Sequence, residues 1–128
     1  HGWMLGLYQQ PLITDRIEAW KYGPVIPDLY RAMRDYGSGN VTDSLPERQS
    51  IGRGLVLMTP LAVPLDSREL DLIQQVYTHY GDKNGIQLSR LTHQPGTPWH
   101  MTWDADSMGR GISNDLIAEH YRRLADER

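Results

Sequence analysis

Hydrophobic residues recur at helical spacing along much of the chain, and polar or special residues mark where each run begins and ends. The first run ends before Pro11 and consists of Trp3, Met4, Leu7 and Tyr8. The second run follows Pro27 and consists of Leu29, Ala32, Met33 and Tyr36. Gly37 follows directly and is predicted to end that helix as a left-handed cap.

The second half of the chain carries clearer helix signals. Asp66 and Glu69 have the spacing of a capping box, and the apolar positions after them are Leu70, Ile73, Val76, Tyr77 and Tyr80. Asn84 is the predicted cap of a helix with Ile86, Leu88 and Leu91 on its apolar face. Pro98 suits the first turn of a short helix. Ser113 is the predicted cap of the last helix, and Ile112 and Ile117 have the spacing of a hydrophobic staple.

Extended structure is predicted in two places. The segment PLITDRIEAW, residues 11–20, predicts a small β-hairpin that turns at residues 14–16. Gly23, Pro24 and Pro27 should then interrupt regular structure. Residues 38–66 read as a long irregular connection with short extended pieces near Val41 and Leu55. The sequence therefore predicts a mainly α protein, a compact single-domain helical bundle over residues 1–128 with a small β-hairpin near the N-terminus.

Composition narrows the class of protein. The chain has 128 residues, 39% of them hydrophobic and 23% charged, with a net charge of −3. These values suit a globular domain and give no general attraction to phosphate backbones, so we expect no nucleic-acid partner. The chain contains no cysteine, which excludes disulfides and agrees with a reducing compartment. No run approaches the about 18 apolar residues that a membrane helix needs, and we expect no membrane partner.

Catalytic motifs are weak. The histidines form no HExxH pair, and Pro95 and Pro98 prevent one helix from presenting both His93 and His100. Asp104 and Asp106 resemble turn formers more than a pair of catalytic carboxylates. The sequence therefore predicts no catalytic residue, metal ligand or cofactor. The alternative is a metal-dependent hydrolase that uses His93, His100 and Asp104.

Aromatic residues give a different signal. The chain has four tryptophans and seven tyrosines but no phenylalanine. Tryptophan in a small domain is most often core, yet Trp and Tyr also dominate the hot spots of protein interfaces. Lys21 and Tyr22, beside Trp20, are the predicted partner-binding residues.

Two stretches make the chain recognisable. Residues 1–37 together with LTHQPGTPW resemble the Panacea domain, the family of the SocA antitoxin and the phage-associated GepA proteins. The motif residues that carry the resemblance are Trp3, Ala19, Trp20, Gly23, Pro24, Val25, Pro27, Tyr30, Thr92, His93, Pro98 and Trp99. Members of the family usually carry a further helical segment before His-Gly-Trp, and we expect that segment to be missing here.

The resemblance implies a function that residue chemistry did not provide. Panacea domains act as antitoxins that bind and neutralise a toxin encoded beside them, and many lie in prophages or mobile elements. SocA-like members also act as adaptors that present the toxin to a cytoplasmic protease. The resemblance implies no cofactor and no enzymatic activity, and it implies a cytoplasmic protein.

The same motif also has a structural interpretation. Gly23 admits backbone angles that other residues avoid, Pro24 fixes its own φ, and Pro27 can start a helix. Together they should form a rigid corner in which Trp20 and Tyr30 pack.

Overall fold

The computed structural model describes residues 1–37, 39–42, 46–50, 56–60 and 64–127. Six α-helices occur within these ranges: α1 Gly2–Tyr8, α2 Pro27–Met33, α3 Ser67–Tyr80, α4 Gly85–Thr92, α5 Pro98–Thr102 and α6 Asn114–Asp126. The strands are β1 Glu18–Trp20, β2 Gly23–Val25, β3 Pro46–Ser50, β4 Val56–Pro60 and β5 Arg110–Gly111. The predicted class, mainly α with a small hairpin near the N-terminus, is confirmed. None of the described helices is both long and apolar enough to cross a membrane.

The chain divides into two compact units. The first comprises His1–Pro27 with Asp66–Arg128, and the second comprises Asp28–Leu65. The second unit holds most of α2, the 3-10 helix Arg34–Tyr36, and the antiparallel pair β3–β4. Because Tyr30 lies in the second unit, its packing against Trp20 stays a prediction, as does the single domain over residues 1–128.

The helix starts that the sequence predicts are confirmed by their cap hydrogen bonds. Glu69 N donates to Asp66 Oδ1 at 2.8 Å, and Asp66 N donates to Glu69 Oε1 at 3.0 Å. Asn84 and Gln87 form the same reciprocal pair. Ser113 Oγ accepts from the third residue of α6 at 3.1 Å. Each cap satisfies backbone N–H groups that have no partner inside the helix, which is why these boundaries can be read from local sequence.

The core of the first unit consists of two clusters. The first contains Leu5, Ala19, Trp99, Ile112 and Ile117, all buried. The last two are the predicted staple, which therefore closes the start of α6 onto the core. The second cluster contains Trp3, Met4 and Leu72. Tyr121 packs against both clusters, so α6 joins them.

Two glycines let α1 approach α6 closely. Gly2 and Gly6 lie four residues apart, on one face of α1. A Cβ atom on Gly6 would lie 2.8 Å from Tyr121 Cβ and 2.9 Å from the backbone nitrogen of Arg122. A Cβ atom on Gly2 would overlap the Tyr121 ring. The contact between the two helices therefore depends on the absence of side chains at these positions.

The hairpin lies further along the chain than the sequence predicts. Residues 14–16 are not its turn, because β1 pairs with β2 in the register Glu18↔Val25 and Trp20↔Gly23. The prediction that Gly23 and Pro24 interrupt regular structure is wrong as well. Pro24 fits here because β2 is an edge strand, where a missing N–H group removes no ladder hydrogen bond.

The region predicted as an irregular connection contains regular structure. β3 and β4 pair antiparallel from Pro46↔Pro60 to Ser50↔Val56. Val41 lies outside the strands, and Leu55 lies outside the described residues. The second helical run is confirmed as α2 and its 3-10 extension. It ends at Gly37, whose φ is +56° but whose ψ of −126° is not that of a left-handed helix.

A Gly6→Ala substitution tests the contact between α1 and α6. Alanine has the higher helix propensity, but the added methyl group collides with the α6 backbone, so we expect the free energy of unfolding to fall by about 1–3 kcal/mol. Gly85→Ala is the matched control, because a Cβ atom there meets nothing within 4 Å. Urea denaturation followed by circular dichroism measures both variants. Equal stabilities of the two variants would contradict the close approach.

Tyr121 should make stability sensitive to alkaline pH. Burial, and secondarily Tyr80, raises the pKa of Tyr121 above its ordinary value of 10.0. Above that pH the unfolded chain loses the proton while the folded protein keeps it, so stability should fall as pH rises. We expect a shallower fall in Tyr121→Phe between about pH 9 and about pH 11, measured by urea denaturation. An equally steep fall in wild type and Tyr121→Phe would contradict this linkage.

Candidate functional site

The turn between β1 and β2 presents the two residues predicted to bind a partner. Lys21 and Tyr22 form this turn, and Tyr22 is 79% exposed. Lys21 Nζ lies 5.4 Å from the centroid of the Tyr22 ring, within the range of a cation–π contact. The turn therefore offers an aromatic surface and a positive charge to the solvent.

Three side chains from α4, α5 and the connection between them contact the backbone at this turn. Trp99 Nε1 donates to the carbonyl oxygen of Trp20 at 2.6 Å, and Ser89 Oγ donates to that of Tyr22 at 3.0 Å. His93 Nε2 lies 3.4 Å from the carbonyl oxygen of Lys21. We call Ser89, His93 and Trp99 the turn clamp. Trp99 and Ser89 donate to the carbonyl groups of Trp20 and Tyr22, and His93 lies beside the carbonyl group of Lys21 between them.

His93 is held by its second ring nitrogen. Nδ1 lies 2.6 Å from the carbonyl oxygen of Ser89, and because that oxygen only accepts, Nδ1 must carry the proton. With the proton on Nδ1, Nε2 contacts the carbonyl oxygen of Lys21 without donating to it. The ring also packs on Trp99, with 3.8 Å between the centroids.

The connection between α4 and α5 fixes the clamp. Thr92 Oγ1 donates to the carbonyl oxygen of Ser89 at 2.8 Å. Thr97 is buried, and its hydroxyl shares its one hydrogen between the carbonyl oxygens of Thr92 and Gln94, at 2.7 and 2.8 Å. Thr97 is also the N-cap of α5, and Pro98 occupies the first turn. The segment thus satisfies its own polar groups and directs Trp99 into the core.

Gly23 is required by its backbone conformation. Its φ of +134° lies in a region that side chains disfavour. A Cβ atom would lie 3.4 Å from Thr92 Oγ1 and 3.6 Å from His93 Cε1, which are ordinary contact distances. The strain of the positive φ, more than crowding, therefore explains glycine at the point where β2 begins beside the end of α4.

The structure gathers part of the predicted motif into one place. Trp20, Gly23, Thr92, His93 and Trp99 surround the turn. The other motif residues lie elsewhere. Ala19 is buried in the first cluster and Trp3 in the second. Pro24 and Val25 continue β2, Pro27 begins α2, Pro98 begins α5, and Tyr30 lies in the second unit. Ser89 was missed by sequence reasoning. Its position one helical turn before His93 is the signal that could have found it.

The three residues of the alternative hydrolase hypothesis have separate local partners. His93 bonds to Ser89, and His100 Nδ1 lies 3.4 Å from the backbone nitrogen of Gly96. Asp104 accepts from the backbone nitrogen of Asp106 at 2.9 Å. Within the described ranges, no group of three or more His, Asp or Glu side chains is arranged to hold a metal ion.

A protein family and a known protein both match this chain. The family model described as "Antitoxin SocA-like, Panacea domain" matches residues 1–100. "Antitoxin SocA" of Caulobacter vibrioides (strain NA1000 / CB15N) is 25% identical over 126 residues, which cover 95% of this chain. The chain spans 65% of the length of that relative. No solved structure matches.

A Trp99→Phe substitution tests the clamp. Phenylalanine keeps an aromatic ring in the core but removes the N–H group that Trp20 accepts from, so we expect a loss of about 1–3 kcal/mol in the free energy of unfolding. Amide hydrogen exchange at residues 20–23 should also accelerate. Trp103→Phe is the control, since Trp103 stacks on Trp99 with 5.3 Å between centroids and is partly exposed. Unchanged exchange in the Trp99 variant would refute the clamp.

Proposed function

The chain belongs to the SocA-like Panacea domain family, and from that membership we propose that it is an antitoxin that neutralises a cognate toxin by binding it. The function requires a surface that recognises another protein and no reacting group. The turn between β1 and β2 is the surface that we assign to this role. The family match includes Lys21, Tyr22 and the turn clamp, which supports the assignment.

The clamped turn is the observation that best supports toxin binding at this site. Tyrosine contributes a large, rigid and amphipathic contact area, and it is frequent among interface hot spots. Fixing the backbone before binding lowers the entropy lost on association. Tyr22 combines both properties, because its side chain is exposed while its carbonyl oxygen is bonded to Ser89.

The relative named an antitoxin supports the same role, but the chain spans only 65% of its length. The identity of the toxin and the extent of the interface are therefore part of the proposal. We propose that the toxin is encoded beside this chain, in a prophage or mobile element, and that the two proteins meet in the cytoplasm.

Adaptor activity is a narrower form of the same function. In that form the bound toxin would be presented to a cytoplasmic protease, and neutralisation would remove the toxin instead of only covering it. The two forms differ in the amount of toxin in the cell. A toxin level that falls only when both this protein and a protease are present would indicate an adaptor.

Expression in bacteria tests the antitoxin role. We expect the product of the adjacent gene to arrest growth when expressed alone, and co-expression of this chain to restore growth. The two purified proteins should form a stable complex in size-exclusion chromatography. A harmless neighbour that does not bind this chain would remove the proposal.

Substitutions in the turn test the assigned surface. Tyr22→Ala should weaken toxin binding by about tenfold or more, and Lys21→Ala should weaken it less, because a rim charge contributes little. Isothermal titration calorimetry gives the affinities, and thermal denaturation should show unchanged folding. Tyr77→Ala is the matched control, since this tyrosine is 75% exposed on α3. Equal affinities of the Tyr22 and Tyr77 variants would place the interface elsewhere.

A further inference from the structure

The loop that precedes β5 lies at the same end of the sheet as the β1–β2 turn. β5 pairs with β1 on the side opposite β2, in the register Glu18↔Gly111 and Ala19↔Arg110. β5 begins at Arg110, opposite Ala19, so the residues just before it lie at the end of the sheet where β1 leads into the turn. The loop of residues 104–109, which we call the second loop, therefore ends beside the turn.

The second loop is folded on itself around one carboxylate. Asp104 Oδ1 accepts from the backbone nitrogen of Asp106 at 2.9 Å, and its carbonyl oxygen accepts from that of Ser107 at 3.2 Å. Asp104 Oδ2 lies 3.4 Å from the guanidinium group of Arg110. These contacts close a turn with Ala105 and Asp106 at its centre, and Met108 follows this turn before β5 begins.

A further set of contacts fastens the second loop to β1. Arg16 donates to the carbonyl oxygen of Gly109 at 3.1 Å, and its Nε atom lies 3.3 Å from Glu18 Oε2. Glu18 Oε1 in turn accepts from the indole nitrogen of Trp20 at 3.0 Å. Gly109 has a φ of +69°, and a Cβ atom there would lie 2.7 Å from Glu18 Oε1. Glu18 therefore connects the second loop with the strand that leads into the turn.

Met108 lies in this braced loop, between its turn and β5, and is 100% exposed. Neighbouring strands lie about 4.8 Å apart, so the strands on the two sides of β1 are about 10 Å apart. That separation fits easily within a typical interface of about 800 Å² per partner. Methionine adapts its shape to irregular apolar pockets, and a fixed backbone reduces the entropy lost when such a side chain is immobilised.

We propose that Met108 is a second anchor of the toxin-binding surface and enters an apolar pocket of the toxin beside the site of Tyr22. This inference rests on the proposed antitoxin function. It extends the surface beyond residues 1–100, which are the residues that the family model matches. At this end of the sheet Arg16 pairs with Glu18 and Arg110 pairs with Asp104, and Lys21 and Asp106 add one charge of each sign. Apolar contact therefore supplies the affinity, and binding depends little on ionic strength.

Calorimetry with the purified product of the adjacent gene tests Met108. Met108→Ala weakens binding by about tenfold, and the weakening persists at both about 0.05 M and about 0.5 M salt. Leu70→Ala is the matched control, an aliphatic side chain 47% exposed on α3, and it leaves the affinity near that of the wild type. Thermal denaturation verifies that each variant is folded.

The possible outcomes separate this inference from the function on which it rests. If the wild-type chain does not bind the product of the adjacent gene, the antitoxin proposal fails, and the role of Met108 fails with it. If Tyr22→Ala weakens binding while Met108→Ala does not, only the role of Met108 fails. Light scattering addresses a second copy of this chain as the occupant. A wild-type dimer that Met108→Ala dissociates, with unchanged affinity for the toxin, would also overturn the inference.

Discussion

The indole of Trp99 is the constraint on which the first unit depends. Its ring is buried in a cluster with Ile112 and Ile117, so it packs where α6 begins. Its single N–H group donates to the carbonyl oxygen of Trp20 at 2.6 Å, so the same residue also fixes the end of β1. A buried Trp needs a partner for its N–H group, and here the partner is the backbone that leads into the turn. Core packing and turn geometry are therefore not independent.

This coupling explains why the motif mixes apolar, polar and conformationally special residues. Trp99 anchors the turn to the core, Ser89 donates to the carbonyl group of Tyr22, and His93 packs beside that of Lys21. Gly23 supplies the backbone angle with which β2 begins directly after the turn. The arrangement positions a loop, which is what a binding surface requires, and it leaves the chemistry of the contact to the exposed side chains.

Features with local causes could be predicted from the sequence. The capping pairs at Asp66 and Asn84, the cap at Ser113 and the Ile112–Ile117 staple all depend on residues within a few positions of one another, and all are present. The hairpin was misplaced because Thr14-Asp15-Arg16 carries stronger turn chemistry than Lys21-Tyr22, whereas the true turn is stabilised by side chains about seventy residues away. Long-range stabilisation of this kind overrides local preference.

The candidate site likewise has a part that could be predicted from the sequence and a part that could not. Lys21 and Tyr22 could be proposed from the sequence because aromatic and basic residues stood beside a recognisable motif, but their exposure on a fixed backbone could not. Met108 gave no signal, because one exposed methionine forms no periodic pattern. That its loop lies at the same end of the sheet as the turn follows only from the pairing of β5 with β1, and β5 has two residues that propensity cannot detect. A surface assembled from two loops is defined by strand register, and register is a property of the folded chain.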